Sequence, residues 1–178
     1  LYNPSAPVDS ITPITVGMVY KYGNRIDNVR ETDLGLTPEE VKFTVTSPGG
    51  EARFENGATT ITRPVTVDGN VTVNLRLSSQ VGENIVVVSP RVPSVKSQHL
   101  TITGIGYRPV SITAKVSPAG DPPKVPADGE SKFTVTFHVR DAWMNPVAHH
   151  QLDITTSLPG EPRKSILTNS EGNVMITY

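Results

Sequence analysis

The chain has 178 residues, 36% of them hydrophobic, and its 16 Lys and Arg nearly balance its 17 Asp and Glu, which leaves a formal net charge of −1. A near-neutral chain has no long-range field that attracts polyanions, so the composition argues against nonspecific binding to nucleic acid or to an anionic membrane surface. Cysteine is absent, which excludes disulfides, thiolate metal sites and a thiol nucleophile.

No apolar run approaches the roughly 20 residues that cross a bilayer, so we expect no membrane insertion by this chain. It begins at Leu1 without an initiator Met or a signal-peptide core, from which we expect a piece of a longer protein.

The first elements in chain order are a tether and a strand. Residues 1–12 are rich in Pro and Ser, which is typical of a tether. We predict a first β-sandwich domain over residues 13–104. It opens with a strand over residues 14–20, where apolar residues occupy every second position.

Residues 27–40 form a polar segment that we predict to be a loop inserted in this domain. Within it, Thr37 can cap a helix, Pro38 favours the first helical position, and Glu40 lies three residues after the cap. This pattern predicts one short helical turn.

Short alternating segments separated by Gly, Pro and Asn continue through the first half, which is typical of strands joined by turns. The clearest is 71–77, where four aliphatic residues alternate with polar ones. The further strands predicted for this domain cover residues 41–46, 52–54, 59–65, 71–77, 84–88 and 99–103.

Residues 105–109 contain glycine and proline, and we predict that they link the first domain to a second one over residues 110–178. The strongest strand of the second half runs from Phe133 to Val139 and ends in a turn before Val147. The other predicted strands cover residues 110–116, 152–156, 164–167 and 174–178. A sandwich normally needs about seven strands, so we predict that this domain lacks its closing strand and leaves a sheet edge exposed.

An internal repeat relates the two halves, and self-similarity of this kind indicates a modular architecture. Between its first two blocks the first copy is longer, with 24 positions from Asn24 to Pro48 against 14 from Asn145 to Pro159. The matching blocks are 19–26 over 140–147, 41–49 over 152–160, and 68–73 over 171–176.

The second half also carries a family resemblance. Its segments Pro126–Thr136, Val139–Val147 and Thr168–Val174 closely resemble the bacterial immunoglobulin-like group 1 modules of the invasin and intimin adhesins, and residues 13–103 resemble them more loosely. Met144 stands where those modules commonly have Gly, and the first half lacks their Ala-Asp-Gly motif. The resemblance implies stacked immunoglobulin-like β-sandwiches that act as a stalk for a receptor-binding tip. With the strand count, the predicted fold is an all-β chain of two tandem immunoglobulin-like β-sandwiches, the second without its last strand.

Few residues offer metal chemistry. His149 and His150 lie near Asp153, but adjacent strand residues point to opposite faces of a sheet and cannot share one zinc ion without a bulge. Asp141 and Asn145 offer oxygens to calcium, which needs six to eight, whereas a structural turn needs only local backbone partners. We predict a solvated turn at the histidines, a structural turn at Asp141 and no metal site, with calcium at Asp141 and Asn145 as the alternative.

Trp143 is the only tryptophan and lies in a predicted turn. One interpretation is ligand contact, as an exposed aromatic that meets a sugar or a protein, and Tyr20, Tyr22 and Tyr107 share this ambiguity. The favoured interpretation is that it plugs the end of the core or packs where the domains join.

The sequence has no nucleophile elbow, phosphate-binding loop or paired catalytic carboxylates, so we predict no enzyme activity and no cofactor. We interpret the chain as a non-catalytic stalk or adhesion module of a bacterial cell-surface or secreted protein. Its expected partners are a protein or glycan receptor and neighbouring immunoglobulin-like modules of the parent chain, with no nucleic acid. The alternatives are an accessory binding module of a secreted enzyme and a strand-donating pilus or phage component.

Overall fold

The chain divides into two compact units, Leu1–Ile105 and Gly106–Tyr178, called unit 1 and unit 2 below. The computed structural model describes residues 4–19, 22–26, 32, 39–92, 95–120, 123–126, 128–157 and 163–178.

The described part of unit 1 consists of two facing sheets. Its strands are β1 (Ser5–Pro7), β2 (Ile11–Gly17), β3 (Glu40–Thr46), β4 (Arg53–Phe54), β5 (Thr60–Pro64), β6 (Asn70–Arg76), β7 (Gly82–Pro90) and β8 (Gln98–Ile105). One sheet has the strand order β1-β8-β7-β3-β5 and the other has the order β2-β6-β4. A 3₁₀ turn, Pro48–Gly50, follows β3.

The core of unit 1 lies between these sheets and is built from alternate strand residues. In β3 every second side chain is buried, and in β6 the same alternation holds. Phe43 of β3 meets Phe54 of β4 edge to face, with 6.3 Å between ring centroids. The period of two therefore places one face of each strand in the core, as the sequence predicts.

The prediction of a tether over residues 1–12 is wrong for the described part of that segment, residues 4–12. β1 pairs in parallel with β8, Thr103 donates its N–H to the Pro4 carbonyl at 2.9 Å, and Val8 donates to the Ile105 carbonyl at 2.9 Å. Val8 is buried. β1 lies at the edge of its sheet, where proline is tolerated because one side of the strand needs no donors, so a Pro-rich segment can pair there.

The predicted helical turn lies mostly outside the described residues, since Thr37 and Pro38 are not among them. Glu40, which was to complete the turn, is instead the first residue of β3. There it faces Pro64 of β5 across the ladder.

Unit 2 has five strands in its described part. They are β9 (Ser111–Ser117), β10 (Thr134–Arg140), β11 (Gln151–Ile154), β12 (Lys164–Leu167) and β13 (Asn173–Thr177). One sheet has the order β13-β10-β9, and β11 pairs with β12 in a second. The buried cluster of unit 2 consists of Val139, Val147, Leu152, Val174 and Ile176.

The prediction of an all-β chain is confirmed, and the two sheets of unit 1 are consistent with a β-sandwich. Predicted strand positions agree with the observed ones to within a few residues throughout. The first unit extends through Ile105, and Gly106 begins the second, so β8 takes one residue of the predicted linker.

The internal repeat has a structural counterpart, which starts in unit 1 just after β2. An isolated bridge joins Val19 to Arg25. Met18 donates its N–H to the Gly69 carbonyl at 2.7 Å, and Ile26 donates to the Met18 carbonyl at 3.2 Å. The chain thus leaves the strand, turns, and returns against both the strand end and the Gly69 turn.

Unit 2 repeats these connections at the matching positions. An isolated bridge joins Arg140 to Pro146. Val139 donates its N–H to the Gly172 carbonyl at 2.8 Å, and Val147 donates to the Val139 carbonyl at 3.2 Å. We call residues 139–147, with Gly172, the repeated turn of unit 2; the sequence repeat is therefore a repeat of backbone hydrogen bonding.

Gly172 is the tightest position of this turn. Its φ is 68°, and a Cβ added there would lie 2.7 Å from the Val139 carbonyl oxygen and 2.8 Å from the Val147 nitrogen. We expect Gly172→Ala to lower the unfolding free energy of unit 2 by about 3 kcal/mol or more, because the left-handed backbone costs an L-residue about 1–2 kcal/mol before any clash. Urea denaturation followed by the fluorescence of Trp143 measures this loss.

Gly129→Ala is the matched control. Gly129 has a φ of 77°, but a Cβ there would meet nothing within 4 Å. It therefore carries the cost of the left-handed backbone without the clash, so we expect a loss of about 1–2 kcal/mol. Equal losses for the two variants would contradict the close approach at Gly172.

Candidate functional site

Asp141, in the repeated turn, is a buried polar residue of unit 2. Its side chain is buried, and Oδ1 accepts the backbone N–H groups of Trp143 and Asn145, both at 2.9 Å. Oδ2 accepts a hydrogen bond from the Asn145 side-chain amide at 3.1 Å. The Asp141 backbone N–H donates to the Asn145 carbonyl at 3.0 Å. The Asp141 carboxylate thus holds the turn together through hydrogen bonds from residues of the turn. These bonds supply the partners that a buried polar group needs.

This geometry is the one that the structural interpretation of Asp141 and Asn145 expects. Both carboxylate oxygens accept hydrogen bonds from N–H groups of the turn itself, an arrangement that needs no calcium ion. Within the described ranges, no three His, Asp or Glu side chains lie close enough together to hold a metal ion. Calcium binding at this turn stays a prediction, tested below.

Trp143 is more exposed than the favoured interpretation expects. The plug hypothesis predicts a buried indole, but 48% of the residue is exposed. Its neighbour Met144 has a φ of 65° and is exposed as well. That left-handed backbone explains why glycine suits this position in the modules that the sequence resembles. Ligand contact through Trp143 stays a prediction.

The histidines next in sequence form a turn, as predicted. His149 is exposed with a φ of 55°, and His150 is partly buried. Asp153 is engaged elsewhere, since it accepts a hydrogen bond from the Ser165 hydroxyl at 2.6 Å and forms an ion pair with Arg163. The bond from Ser165, followed by that from Arg163, lowers the pKa of Asp153.

The polar position of His138 in its alternating strand segment predicts an exposed side chain, and the structure departs from that prediction. It is partly buried, and its Nδ1 lies 2.8 Å from Oδ1 of Asn173 on the neighbouring strand. The two residues are register partners in the β10–β13 ladder, which brings their side chains together. His99, whose polar position in its strand segment likewise predicts exposure, is exposed.

Sequence reasoning missed the structural role of Thr168. Its hydroxyl is buried, donates to the Val147 carbonyl at 2.7 Å and accepts the N–H of His150 at 2.9 Å. The Thr168 backbone N–H also donates to the His150 carbonyl at 2.9 Å. The sequence signal for this role was Thr168-Asn169, at the start of a segment that carries the family resemblance. In the structure, the hydrogen bond from the Thr168 hydroxyl to Val147 closes the repeated turn.

The Asp-Gly corner before β10 is held by a second carboxylate. Oδ1 of Asp128 accepts the N–H groups of Glu130 at 2.9 Å and Ser131 at 2.6 Å, and Oδ2 accepts the Ser131 hydroxyl at 2.6 Å. These bonds, that from the Ser131 hydroxyl first, lower the pKa of Asp128 to about 2. The carboxylate therefore stays ionised and acts as a turn cap, a role that gives it no access to proton transfer near neutral pH.

Unit 1 has a concave surface of about 600 Å³ at one end of its sandwich. Its lining is mainly aliphatic and includes Val16, Met18 and Val88. The ionisable residues that line it are Glu39 and Lys96, and Glu39 also faces the Arg91 guanidinium at 3.9 Å. The residues that line this surface do not bring an acid, a base and a nucleophile together. The catalytic arrangements considered above need at least those groups.

We expect removal of the Asp141 carboxylate to destabilise unit 2 in a calcium-independent way. Asp141→Ala leaves the N–H groups of Trp143 and Asn145 without their acceptor in a buried turn, which costs about 1–3 kcal/mol per unsatisfied group. Thermal unfolding measures the effect, with the exposed Asp153→Ala as control.

The calcium alternative is tested on the unchanged chain. The structural interpretation predicts the same melting temperature in chelator and in millimolar calcium. A rise with calcium that disappears in Asp141→Ala would assign the turn to a metal instead.

Among the described residues, no helix has the length and apolar character needed to cross a membrane. None of the protein-family models compared with the sequence matches it, and no significant match to a curated protein was found.

The structures that resemble the chain include the following two solved structures. That of FdeC, an Escherichia coli adhesin, has a TM-score of 0.57 at 16% sequence identity, covering 98% of this chain and 52% of that one. The chain therefore spans about half the length of the FdeC structure. Domains 5–6 of the S-layer protein SbsC have a TM-score of 0.35 at 13% identity, covering 96% of this chain and 81% of that one. At 16% identity the likeness to FdeC is one of fold.

Proposed function

We propose that this chain is a non-catalytic stalk or adhesion module of a bacterial cell-surface or secreted protein, built from two tandem immunoglobulin-like domains of the invasin and intimin type. The observation that carries the proposal is the likeness in fold to the FdeC adhesin over 98% of the chain. A shared fold does not by itself imply a shared function, so the proposal also rests on the physical features that follow.

The strand order of unit 1 suits a module that bears tension. Its first strand, β1, is the parallel neighbour of its last strand, β8. A pull on the two ends of unit 1 therefore slides these strands along each other. The hydrogen bonds between them run across the strands, so they share the load and must break together rather than one after another.

The polar groups of unit 2 support a structural role for the same chain. Asp141, Thr168 and Asp128 each hold a turn through hydrogen bonds to neighbouring backbone groups. Groups committed to backbone partners stiffen the ends of the strands and are poor acids, bases or ligands for a substrate.

Contact with a receptor is the finer part of the proposal. Trp143 and Met144 lie side by side, are both substantially exposed, and are held by a turn whose backbone is fixed by Asp141. An indole held by a fixed turn loses little conformational entropy when it binds a receptor, and Met144 beside it adds apolar contact surface. We assign the contact with a protein or glycan receptor to this pair.

Single-molecule stretching of the 178-residue chain between handles at its two ends tests the stalk proposal. We expect two unfolding events, distinguished by extensions of up to roughly 380 Å for unit 1 and 260 Å for unit 2. Unit 2 should open first, because its buried cluster is the smaller one and no pairing of its first and last strands is seen among the described residues.

The control changes the point at which force enters unit 1. In this control one handle is attached to Ser10→Cys, which lies after β1, so the force bypasses the β1–β8 hydrogen bonds. We expect the unfolding force of unit 1 to fall with this attachment while that of unit 2 is unchanged. The same force for unit 1 at both attachments would remove the physical basis for a stalk.

A further inference from the structure

The β2-β6-β4 sheet of unit 1 carries a further concave surface of about 460 Å³, called the polar groove below. Arg76 of β6 lies in it, with Ile11 of β2 as its register partner on one side and Arg53 of β4 on the other. Its volume falls within the range of about 300–1,000 Å³ that is usual for small-molecule sites. The lining residues on which the proposal rests are Asp9, Ile11, Glu51, Arg53, Asn74 and Arg76.

The arginines of the polar groove are held by protein partners but keep N–H groups for a ligand. Arg76 donates from Nε and Nη2 to the Asp9 carboxylate at 2.7 and 2.9 Å, and its Nη1 has no partner among the described residues. Arg53 donates from Nη1 to the carbonyls of Gly50 and Ala52, and its Nε and Nη2 likewise have none. A side chain that is already held loses little freedom when it binds.

The polar groove also offers acceptors. Oε2 of Glu51 accepts the Ser79 backbone N–H at 3.3 Å and the Ser79 hydroxyl, whereas Oε1 accepts no hydrogen bond in the described part of the chain. The Asn74 side-chain amide, with two donors and one acceptor oxygen, is hydrogen-bonded to no described residue. A hydroxyl group both donates and accepts, so a ligand with several hydroxyls matches this mixture of groups.

The charges of the lining argue against an anionic ligand. The carboxylates that line the groove are Asp9, Glu51 and Glu55, and the guanidiniums are Arg53 and Arg76. The lining therefore has no excess of positive charge. An anion brought to Arg53 would meet the carboxylates two positions before and after it in sequence, and such juxtaposition of like charges is costly. A neutral ligand avoids this repulsion.

An aliphatic side chain lies beside these polar groups. Ile11 is 70% exposed and faces Arg76 across the ladder. A sugar ring has C–H groups on one face as well as hydroxyls at its edge, and packing of that face on Ile11 removes apolar surface from water. The groove thus combines the contacts that a saccharide needs.

We propose that the polar groove binds a neutral saccharide, whose hydroxyls bond to Arg53, Asn74 and Glu51 while a C–H face packs on Ile11. The site belongs to unit 1 and stands independently of the stalk proposal and of receptor contact through Trp143. The aromatic residue of the lining, Phe54, is buried, so no exposed ring is available for stacking. We therefore expect weak binding, in the millimolar range.

Titration of the 178-residue chain with cellotetraose, maltotetraose or chitotetraose, followed by backbone amide chemical shifts, tests the proposal. We expect saturable shifts at Arg53, Asn74 and Arg76 with at least one of these neutral tetrasaccharides. Asn74→Ala removes a side chain that has no hydrogen bond to a described residue, so the fold should persist while the affinity falls by about tenfold or more.

Thr72→Ala is the matched control. Thr72 lies two residues from Asn74 on the same exposed face of β6 but does not line the polar groove, so we expect unchanged binding. Ile11→Ser is a second test variant. Because Ile11 is exposed, its loss should leave the fold intact and weaken binding several-fold.

The proposal is overturned if none of the neutral tetrasaccharides gives saturable shifts, or if Asn74→Ala and Ile11→Ser both bind as the unchanged chain does. Tetragalacturonate is the acidic comparison, and tighter binding of it than of every neutral tetrasaccharide would assign the groove to an anion instead. Saturable shifts at Trp143 without shifts in the groove would place saccharide contact in unit 2, which also contradicts the proposal.

Discussion

Burial of alternating aliphatic side chains between two facing sheets is the constraint on which the rest of this structure depends. Each such residue contributes about 1.5–3 kcal/mol when it is fully removed from water. Among the described residues, the buried cluster of unit 1 has seventeen members and that of unit 2 has five. Core burial therefore contributes more to the stability of unit 1, and unit 2 depends more heavily on its turns.

Those turns are where the two units agree most closely. The N–H of Val139 reaches the Gly172 carbonyl as that of Met18 reaches Gly69, although the side chains around them differ. Unit 2 adds Asp141 and Thr168, two buried polar groups that satisfy the backbone from within. The strand ends of a stalk must not fray, and backbone groups that are hydrogen-bonded at these ends resist fraying.

Periodicity was enough to predict the strands, because a period of two is imposed by burial of one face and is visible in single segments such as 71–77. It could not predict β1, since the three residues Ser5–Pro7 show no alternation and pair only because β8 offers an edge. The exposure of Trp143 and the partial burial of His138 escaped prediction for a related reason. Both depend on neighbours that are distant in sequence, or on a turn whose exact backbone angles composition does not encode.

Backbone amide exchange of the 178-residue chain, resolved residue by residue, tests the central claim most directly. The account predicts the slowest exchange at inward-facing residues of β3 and β6 in unit 1. In unit 2 it predicts slower exchange at Val139 and Val147 than along the exposed strand β9. Exchange at Val139 and Val147 as fast as in β9, or equal protection in the two units, would contradict an architecture held by core burial and closed by the repeated turn.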